Sequence, residues 1–318
     1  MASNVVSLVK QGFATSFIGF AVATALYGTS VLQVYLYYRR YPTDRRTWKC
    51  VVALLFLLDT LSTAFVAHSL YTFFVLNFGK DPVEDLVIPW SFSTEKLLVT
   101  LITFVAQIFY AHATWKVTVN KTITFCIGLL AVVCLALGIV TTVDIFTIPF
   151  TIGTRRFLII SGCVQGFAAL NDVLIVAGMC YHLQRNRSGL PSTNQFVDTL
   201  ILYTVSRGIL TAATQILFLI TNVAFPGNTY YQPFHQAVGK LYVNSVLATL
   251  NVRHTFQQKS DVQYGTGPGF AFVHEGTGQS LSVGPQHSNI SLDVSNTNSP
   301  DHENRQRKMT PECNLGPR

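Results

Sequence analysis

Three charged side chains stand inside stretches of the chain that are otherwise almost entirely apolar or small. Asp59 lies in "LLFLLDTLSTAFVAHSLYTFF", residues 54–74, and Asp172 and Arg207 lie in two later stretches of the same kind. A lone Asp or Arg at the centre of a membrane helix costs about 2.5–3.5 kcal/mol on insertion scales. Because a planar guanidinium group can bind two carboxylates at once, we expect Asp59 and Asp172 to converge on Arg207.

The polar residues around these charges predict a buried polar layer. A stripe at three- and four-residue spacing shares one helix face and consists of Thr204, Arg207, Thr211, Thr214 and Gln215. Counting depth along the helices gives a candidate layer of Asp59, Gln107, Asn171, Asp172, Arg207, Thr211 and Asn244. His68 lies nine residues from Asp59, half a revolution around the helix, and is therefore not its partner on the same face.

This layer has three interpretations that the sequence leaves open. It holds neighbouring helices together, as interhelical polar contacts do in membrane proteins. It forms part of a ligand or ion site, since charges inside a membrane domain often mark such sites. In the third interpretation, the depth count is wrong and these residues do not lie at one level of the membrane.

No catalytic or metal-binding motif accompanies the layer. The chain has no H-E-x-x-H, no G-x-S-x-G and no phosphate loop, so we expect no enzyme. The six cysteines have neither zinc-type spacing nor a pair in an outer loop, so we expect no metal, cofactor or disulfide framework. The net charge of +7 comes from short clusters between apolar runs, a pattern that argues against nucleic-acid binding.

The elements that carry these residues are long apolar runs. Of the 318 residues, 49% are hydrophobic and 12% are charged, and soluble domains have about twice that charged fraction. A helix needs roughly 20 residues to cross a bilayer, and seven runs are long enough, with six spans as the alternative count. The runs are 13–37, 50–76, 92–114, 122–146, 157–182, 197–223 and 234–254. We predict an all-α fold: a seven-transmembrane helix bundle over residues 13–254, after a short outer segment of residues 1–12.

Basic residues concentrate in alternate loops. One set of loops contains Arg39, Arg40, Arg45, Arg46, Lys49, Lys116, Lys121, Arg185 and Arg187. The opposite set contains Lys10, Lys80, Lys96, Arg155 and Arg156, together with an acidic loop. By the positive-inside rule, the amino terminus is outside and the carboxyl terminus is cytosolic, in the plasma membrane or another secretory-pathway membrane.

The segment 255–318 is rich in Gly, Ser, Asn, Gln and Pro. Such a composition buries too little apolar surface to offset ordering, so we predict a disordered cytosolic tail. The dipeptides Ser299-Pro300 and Thr310-Pro311 are candidate phosphorylation sites. The tail is therefore a candidate binding segment for a cytosolic partner.

The last span contains "KLYVNSVLATLNVR", residues 240–253. This segment resembles the closing motif of a large family of basidiomycete multi-span membrane proteins with a domain of unknown function. Other resembling segments are "VYLYYRRYPTD", "LLDT", "AQIFYAHATWKV" and a long stretch across spans 5 and 6, so the resemblance covers about residues 15–256. The motif residues are Lys240, Tyr242, Asn244, Ser245, Asn251 and Arg253.

The resemblance implies a fungal multi-span membrane protein without implying an activity. In the family, the position of Arg207 often holds a small polar residue, so the charge there is a feature of this chain. The motif also has a physical interpretation: Asn244 bonds a neighbouring helix, while Asn251 and Arg253 anchor the end of the span, with Arg253 reaching the headgroups.

An outside amino terminus, an inside tail and a polar interior favour a receptor-like or sensing protein that binds a small molecule. The alternative is a transporter or channel, because charges at mid-depth are typical of transport paths. A retinal-binding protein is less favoured, since Lys240 lies near the outer end of its span and Glu95 only at the mouth of span 3. A membrane enzyme is also less favoured.

Overall fold

The protein is helical throughout the residues that the structure describes. The structure, a computed structural model, describes residues 2–77, 89–118, 121–148, 154–185, 191–225 and 228–264. Within these ranges there is no β-strand, and the helices are α1 (Ala2–Arg40), α2 (Arg46–Tyr71), α3 (Trp90–Thr118), α4 (Lys121–Thr147), α5 (Arg155–Arg185), α6 (Pro191–Ala224) and α7 (Gln232–Tyr264). A π-helical turn, Thr72–Leu76, extends α2. The predicted all-α fold is confirmed.

Each of the seven predicted spans lies within one helix, and the helices extend beyond the predicted ends. Helix α6 begins at Pro191, a residue whose fixed φ suits the first helical turn. Helix α7 continues to Tyr264, ten residues past the predicted end. The rest of the predicted tail, 265–318, lies outside the described residues.

Six of the described helices are long and apolar enough to cross a membrane. Their membrane-length segments are Ala14–Arg40, Arg46–Leu76, Trp90–Lys116, Lys121–Thr147, Arg155–His182 and Thr204–Ala224. Large apolar side chains cover their outward faces, among them Phe17, Leu57, Phe125, Ile159 and Ile209. An exterior of this kind suits lipid and not water, as in an integral membrane protein.

The helices form a ring in which each contacts the next along the chain and α7 closes onto α1. Helix α3 also contacts α5 and α7, and half of its most apolar segment is buried, against 22% for α1 and α4. It is therefore the central helix. We call the end of the bundle where α1, α3, α5 and α7 begin the amino end, and the other end the carboxyl end.

Two apolar clusters surround the polar interior. The larger joins α1 to α5 and α7 and contains Tyr37, Leu55, Ile102, Ile127, Ile175 and Leu247. The smaller lies at the amino end and contains Ile145, Phe157, Phe218 and Tyr231. Between them the bundle has room for buried polar groups that only neighbouring helices can satisfy.

Helices α5 and α6 approach each other closely at Gly208. A Cβ atom built at this glycine would overlap the side chain of Val176 on α5 and would lie 4.0 Å from the backbone oxygen of Asp172. Small residues allow membrane helices to pack at short distance. The glycine thereby brings the neighbouring residue, Arg207, within reach of Asp172.

Candidate functional site

Asp172 is the centre of a buried hydrogen-bond network that joins α5, α6 and α7. Arg207 donates from Nη2 to Asp172 Oδ1 at 2.8 Å, and the Tyr242 hydroxyl donates to Asp172 Oδ2, also at 2.8 Å. Gln215 Nε2 donates to the Tyr242 hydroxyl at 2.7 Å. We call these four residues the Arg207 network. Both carboxylate oxygens are bonded, as a buried charge requires.

The guanidinium of Arg207 also stacks on a ring of the central helix. Its Cζ atom lies 3.4 Å from the ring centroid of Tyr110 on α3, and the Tyr110 hydroxyl lies 3.1 Å from Thr249 Oγ1 on α7. A cation over an aromatic face is stabilised by the ring quadrupole, the more so where water is excluded. Four helices therefore hold this one charged group in place.

The prediction for Asp172 and Arg207 agrees with this geometry, whereas the expected convergence of Asp59 on Arg207 is wrong. Asp59 Oδ1 lies 2.7 Å from Lys240 Nζ on α7. Helix α2, which carries Asp59, packs against α1, α3 and α7, with no comparable packing against α6, so its side chain does not reach Arg207.

Lys240 is more deeply placed than the sequence indicates. Its ammonium donates to the backbone oxygen of Asp59 at 2.8 Å and to Thr63 Oγ1 at 2.6 Å, and it lies 5.5 Å from the ring centroid of Tyr27. The long aliphatic stem allows a lysine head group to lie far from its own Cα atom. We call Lys240 and Asp59 the Lys240 pair. Thr63 supports this pair by accepting a hydrogen bond from Lys240.

The other members of the predicted layer do not form one network. The stripe on α6 faces the interior as predicted, since Thr204, Arg207, Thr211, Thr214 and Gln215 are all buried. Thr211 donates to the backbone oxygen of Arg207 at 3.1 Å. Gln107 and Asn171 are fully buried, and neither amide has a hydrogen-bond partner among the described residues.

Asn244 lies on a different face of α7, towards α1. Its Nδ2 donates to the backbone oxygen of Leu26 at 3.0 Å, and Thr29 donates to its Oδ1 at 2.6 Å. This contact agrees with the expected bond to a neighbouring helix, but it separates Asn244 from the Arg207 network. The polar residues therefore lie at similar depth on different sides of the bundle.

The remaining closing-motif residues fix α7 against its neighbours. Asn251 Nδ2 donates to the backbone oxygen of Gln33 at 2.9 Å, and Tyr41 donates to the backbone oxygen of Asn251 at 3.2 Å. Ser245 donates within its own helix, to Leu241 at 2.6 Å. The side chain of Arg253 lies outside the described part of the chain. Apart from Lys240 and Tyr242, the motif residues whose contacts are described anchor α7.

His68 on α2 bonds outside both networks, as expected. Its Nδ1 lies 2.9 Å from Ser91 Oγ at the start of α3, and its ring lies 5.5 Å from that of Trp90. The histidine therefore joins α2 to α3 at the amino end.

A cavity of about 50 Å³ lies in the amino half of the bundle, between α3, α4, α5, α6 and α7. Its wall includes Lys96, Ser161, Gln165 and His235, together with apolar side chains such as Leu135, Phe157 and Phe218. None of the lining residues is exposed on the surface. We call this space the Lys96 cavity, and its size suits a few water molecules or a small organic molecule.

Lys96 enters the cavity wall as a buried cation. It is 7% exposed, and its ammonium lies 5.1 Å from the ring centroid of Phe92 and 5.6 Å from that of Tyr231. No carboxylate oxygen of the described residues lies within 4 Å of it. The prediction that Lys96 belongs to the outer flank is therefore incomplete, because the residue is one and a half turns inside α3.

The nearby carboxylate is engaged elsewhere. Glu95 Oε2 lies 3.4 Å from His235 Nε2 on α7, and Glu95 lines a second, smaller cavity of about 20 Å³ on its other side. The phenol of Tyr231, in the connection between α6 and α7, is buried without a hydrogen-bond partner. Burial raises the pKa of Tyr231, so its hydroxyl stays protonated.

Sequence reasoning assigned Glu95 to the mouth of span 3 and did not select His235. A usable signal was present, because "STEKLL" places two adjacent charges inside a helical run and "FHQAVGK" places a histidine five residues before Lys240. In the described chain, no group of three or more His, Cys, Asp or Glu side chains is arranged to hold a metal ion.

Comparison with known families places a domain over part of this site. Residues 168–255 match DUF6534, a family of unknown function. The match spans the second half of α5, all of α6 and most of α7, so it contains Asp172, Arg207, Tyr242 and Lys240. Searches of curated proteins and of solved structures gave no significant match. The fungal origin and the assignment of the closing motif stay predictions.

Proposed function

We propose that the chain is a receptor-like, sensing membrane protein that crosses the bilayer seven times and binds a small ligand in the Lys96 cavity. The observation that carries this proposal is a cavity of about 50 Å³ bounded by five helices. Two buried polar side chains in its wall, Lys96 and Gln165, have no hydrogen-bond or ion-pair partner among the described residues. Concave, mainly apolar spaces with a few polar groups are typical ligand sites.

The cavity and the Arg207 network share their helices, which supports a sensing role. Gln165 precedes Asp172 by seven residues on α5, and His235 precedes Tyr242 by seven on α7, so two helical turns, roughly 10 Å, separate the two sites. A ligand that prefers one packing of these helices shifts the population towards that packing. The network would transmit this change towards the carboxyl end.

The seventh crossing is supported by the position of α7 in the ring. This helix packs against α1 and α6, and Lys240 and Tyr242 lie in the bundle interior. The orientation is supported by the basic loop after α1, with Arg39, Arg45 and Lys49 at the carboxyl end. In this orientation the Lys96 cavity lies in the outer half of the membrane domain, and the tail is cytosolic.

The sensing role is tested with two spin labels at the carboxyl end of the full chain in lipid nanodiscs. The labels are attached to Lys116→Cys on α3 and Leu202→Cys on α6, after replacement of the native cysteines. Small neutral, cationic and anionic organic molecules are added one at a time. We expect at least one of them to change the distribution of distances between the labels.

A matched pair of variants ties this response to the cavity. Ala131→Leu places extra atoms in the cavity wall, whereas Ala136→Leu lies on the outward face of the same helix, α4. The response should disappear in the first variant and persist in the second. Ligands that bind without any change in the label distances would contradict a sensing role.

Transport is the second candidate, favoured by two charge pairs in the interior. The Asp172–Arg207 and Asp59–Lys240 pairs are both buried, and such groups are typical of substrate or ion paths. The test is uptake of a bound molecule into vesicles containing the purified protein. Uptake that is lost in Asp172→Asn would favour transport over sensing.

A further inference from the structure

The charge on Lys96 is not neutralised by the wall of its cavity. Its ammonium contacts the faces of Phe92 and Tyr231, and an aromatic face offsets only part of the cost of removing a cation from water. The adjacent carboxylate, Glu95, contacts His235 instead. A buried cation requires an anionic or hydrogen-bonding partner. Lys96 is therefore positioned to form an ion pair with a group from outside the protein.

The other polar groups of the cavity complement the same kind of partner. Gln165 is 8% exposed and offers an amide N–H group, and its side chain makes no hydrogen bond within the described chain. His235, Ser161 and three threonines, Thr100, Thr103 and Thr141, also line the space, and each hydroxyl can donate a hydrogen bond. No Asp or Glu is among the described lining residues. Donors outnumber charged acceptors, which favours a ligand with carboxylate oxygens.

The remaining wall limits the rest of the ligand. Val99, Phe104, Leu135, Phe157 and Phe218 present only hydrocarbon to the cavity. One buried ammonium matches a single negative charge, and a space of about 50 Å³ suits a small molecule. A multiply charged phosphate would leave charge unpaired among these side chains.

We propose that the Lys96 cavity binds a small monocarboxylate, with its carboxylate on Lys96 and Gln165 and its short aliphatic chain against Phe157 and Phe218. This assignment rests on the proposed function for the use of the cavity as a ligand site. It names the ligand class without requiring that binding produce a signal.

The test measures the thermal unfolding midpoint of the full chain in nanodiscs during titration with propionate and butyrate. Propionamide and butyramide serve as neutral analogues of the same shape, propylamine as the cation, and sodium chloride holds the ionic strength constant. We expect the carboxylates to raise the midpoint and the amides to require at least about tenfold higher concentration, because a bond to a charged group is the stronger one. Propylamine should have no effect.

Variants of two lysines on α3 locate the effect. Lys96→Met should remove the difference between butyrate and butyramide, and Lys96→Arg should retain it. Lys116→Met, on the exposed part of the same helix, should behave as the wild type. The wild-type comparison decides the question even if Lys96→Met does not fold.

Each contrary result has a distinct meaning. Equal effects of amides and carboxylates, or no effect of either, would overturn the carboxylate assignment while the spin-label test of sensing still stands. Chloride as effective as butyrate would also overturn it, because a bare anion site would then be sufficient. Binding of butyrate with unchanged label distances would contradict sensing and leave the ligand class intact.

Discussion

The Arg207 network and the Lys96 cavity place the same kind of group, a buried cation, in opposite situations. Arg207 has a carboxylate at 2.8 Å and an aromatic face at 3.4 Å. Lys96 has two aromatic faces and no carboxylate oxygen within 4 Å among the described residues. Arg207 is thus paired with a carboxylate of a neighbouring helix, although its Nε and Nη1 atoms make no hydrogen bond among the described residues. Lys96 has no such carboxylate, and we propose that a ligand supplies one. The comparison therefore separates a cation that is paired within the protein from the cation of the proposed ligand site.

The largest effect is expected from Asp172→Asn, which breaks the completed pair. Arg207 cannot lose its proton, so the variant leaves a permanent charge buried without its partner. We expect a loss of about 3–5 kcal/mol in the free energy of unfolding, measured by reversible unfolding in mixed micelles. Asp144→Asn is the matched control, since its partner, Arg156, is mostly exposed, and it should cost far less. Equal losses in the two variants would remove the distinction between the network and a peripheral pair.

Lys240→Met is expected to have the next largest effect, about 2–4 kcal/mol. The cost is smaller because the abandoned Asp59 can take up a proton and become neutral. A double-mutant cycle sharpens the assignment: Asp59→Asn should couple with Lys240→Met by about 1–3 kcal/mol and combine additively with Arg207→Met. Strong coupling between Asp59 and Arg207 would show that the two charge pairs are one network.

A smaller loss is expected from Tyr242→Phe, which removes one hydroxyl from the Arg207 network. The variant leaves Asp172 Oδ2 and Gln215 Nε2 without their bonds, and interhelical hydrogen bonds in membranes contribute about 0.5–1.7 kcal/mol. Tyr71→Phe, on the exposed surface of α2, provides for comparison a tyrosine whose hydroxyl makes no hydrogen bond among the described residues. The same micelle unfolding experiment should give a loss only for Tyr242→Phe, and an unchanged stability there would mean that the network is not cooperative.

The smallest effect, and one of opposite sign, is expected from Lys96→Met without ligand. Removing an unpaired buried cation relieves its desolvation cost, so the free energy of unfolding should be unchanged or rise by about 0.5–1 kcal/mol. The measurement is the shift in the unfolding midpoint relative to Lys116→Met. A large loss of stability would mean that Lys96 is paired in the resting protein and would end the contrast with Arg207.

Depth counting along the helices predicted one side of this comparison. It placed Asp172 and Arg207 at the same height, and a charge in an apolar run has few ways to be satisfied. It failed for Asp59, because height along a helix does not give direction around the ring, and the ring places α3 and α7 between α2 and α6. The long stem of Lys240 added a second error, since its charge lies away from its Cα atom.

The Lys96 cavity could not be predicted from the sequence, for a different reason. A cavity is what remains after five helices have packed, and its existence depends on side-chain shapes at every contact. Glu95 and Lys96 were visible as adjacent charges near the start of a span, but which of them faces the cavity depends on the rotation of α3. His235 was not selected because its importance follows from its contact with Glu95.

The side-chain amides of Gln107 on α3 and Asn171 on α5 affect how strongly these two helices are held together. Neither side chain has a hydrogen-bond partner among the described residues, so a small slide of α3 past α5 breaks no side-chain hydrogen bond at these two positions. Helices α5, α6 and α7, in contrast, are clamped together by the directional bonds of Asp172. The position of α3 is therefore fixed by other contacts, such as those of Tyr110 with Arg207 and Thr249, and not by hydrogen bonds from these two amides.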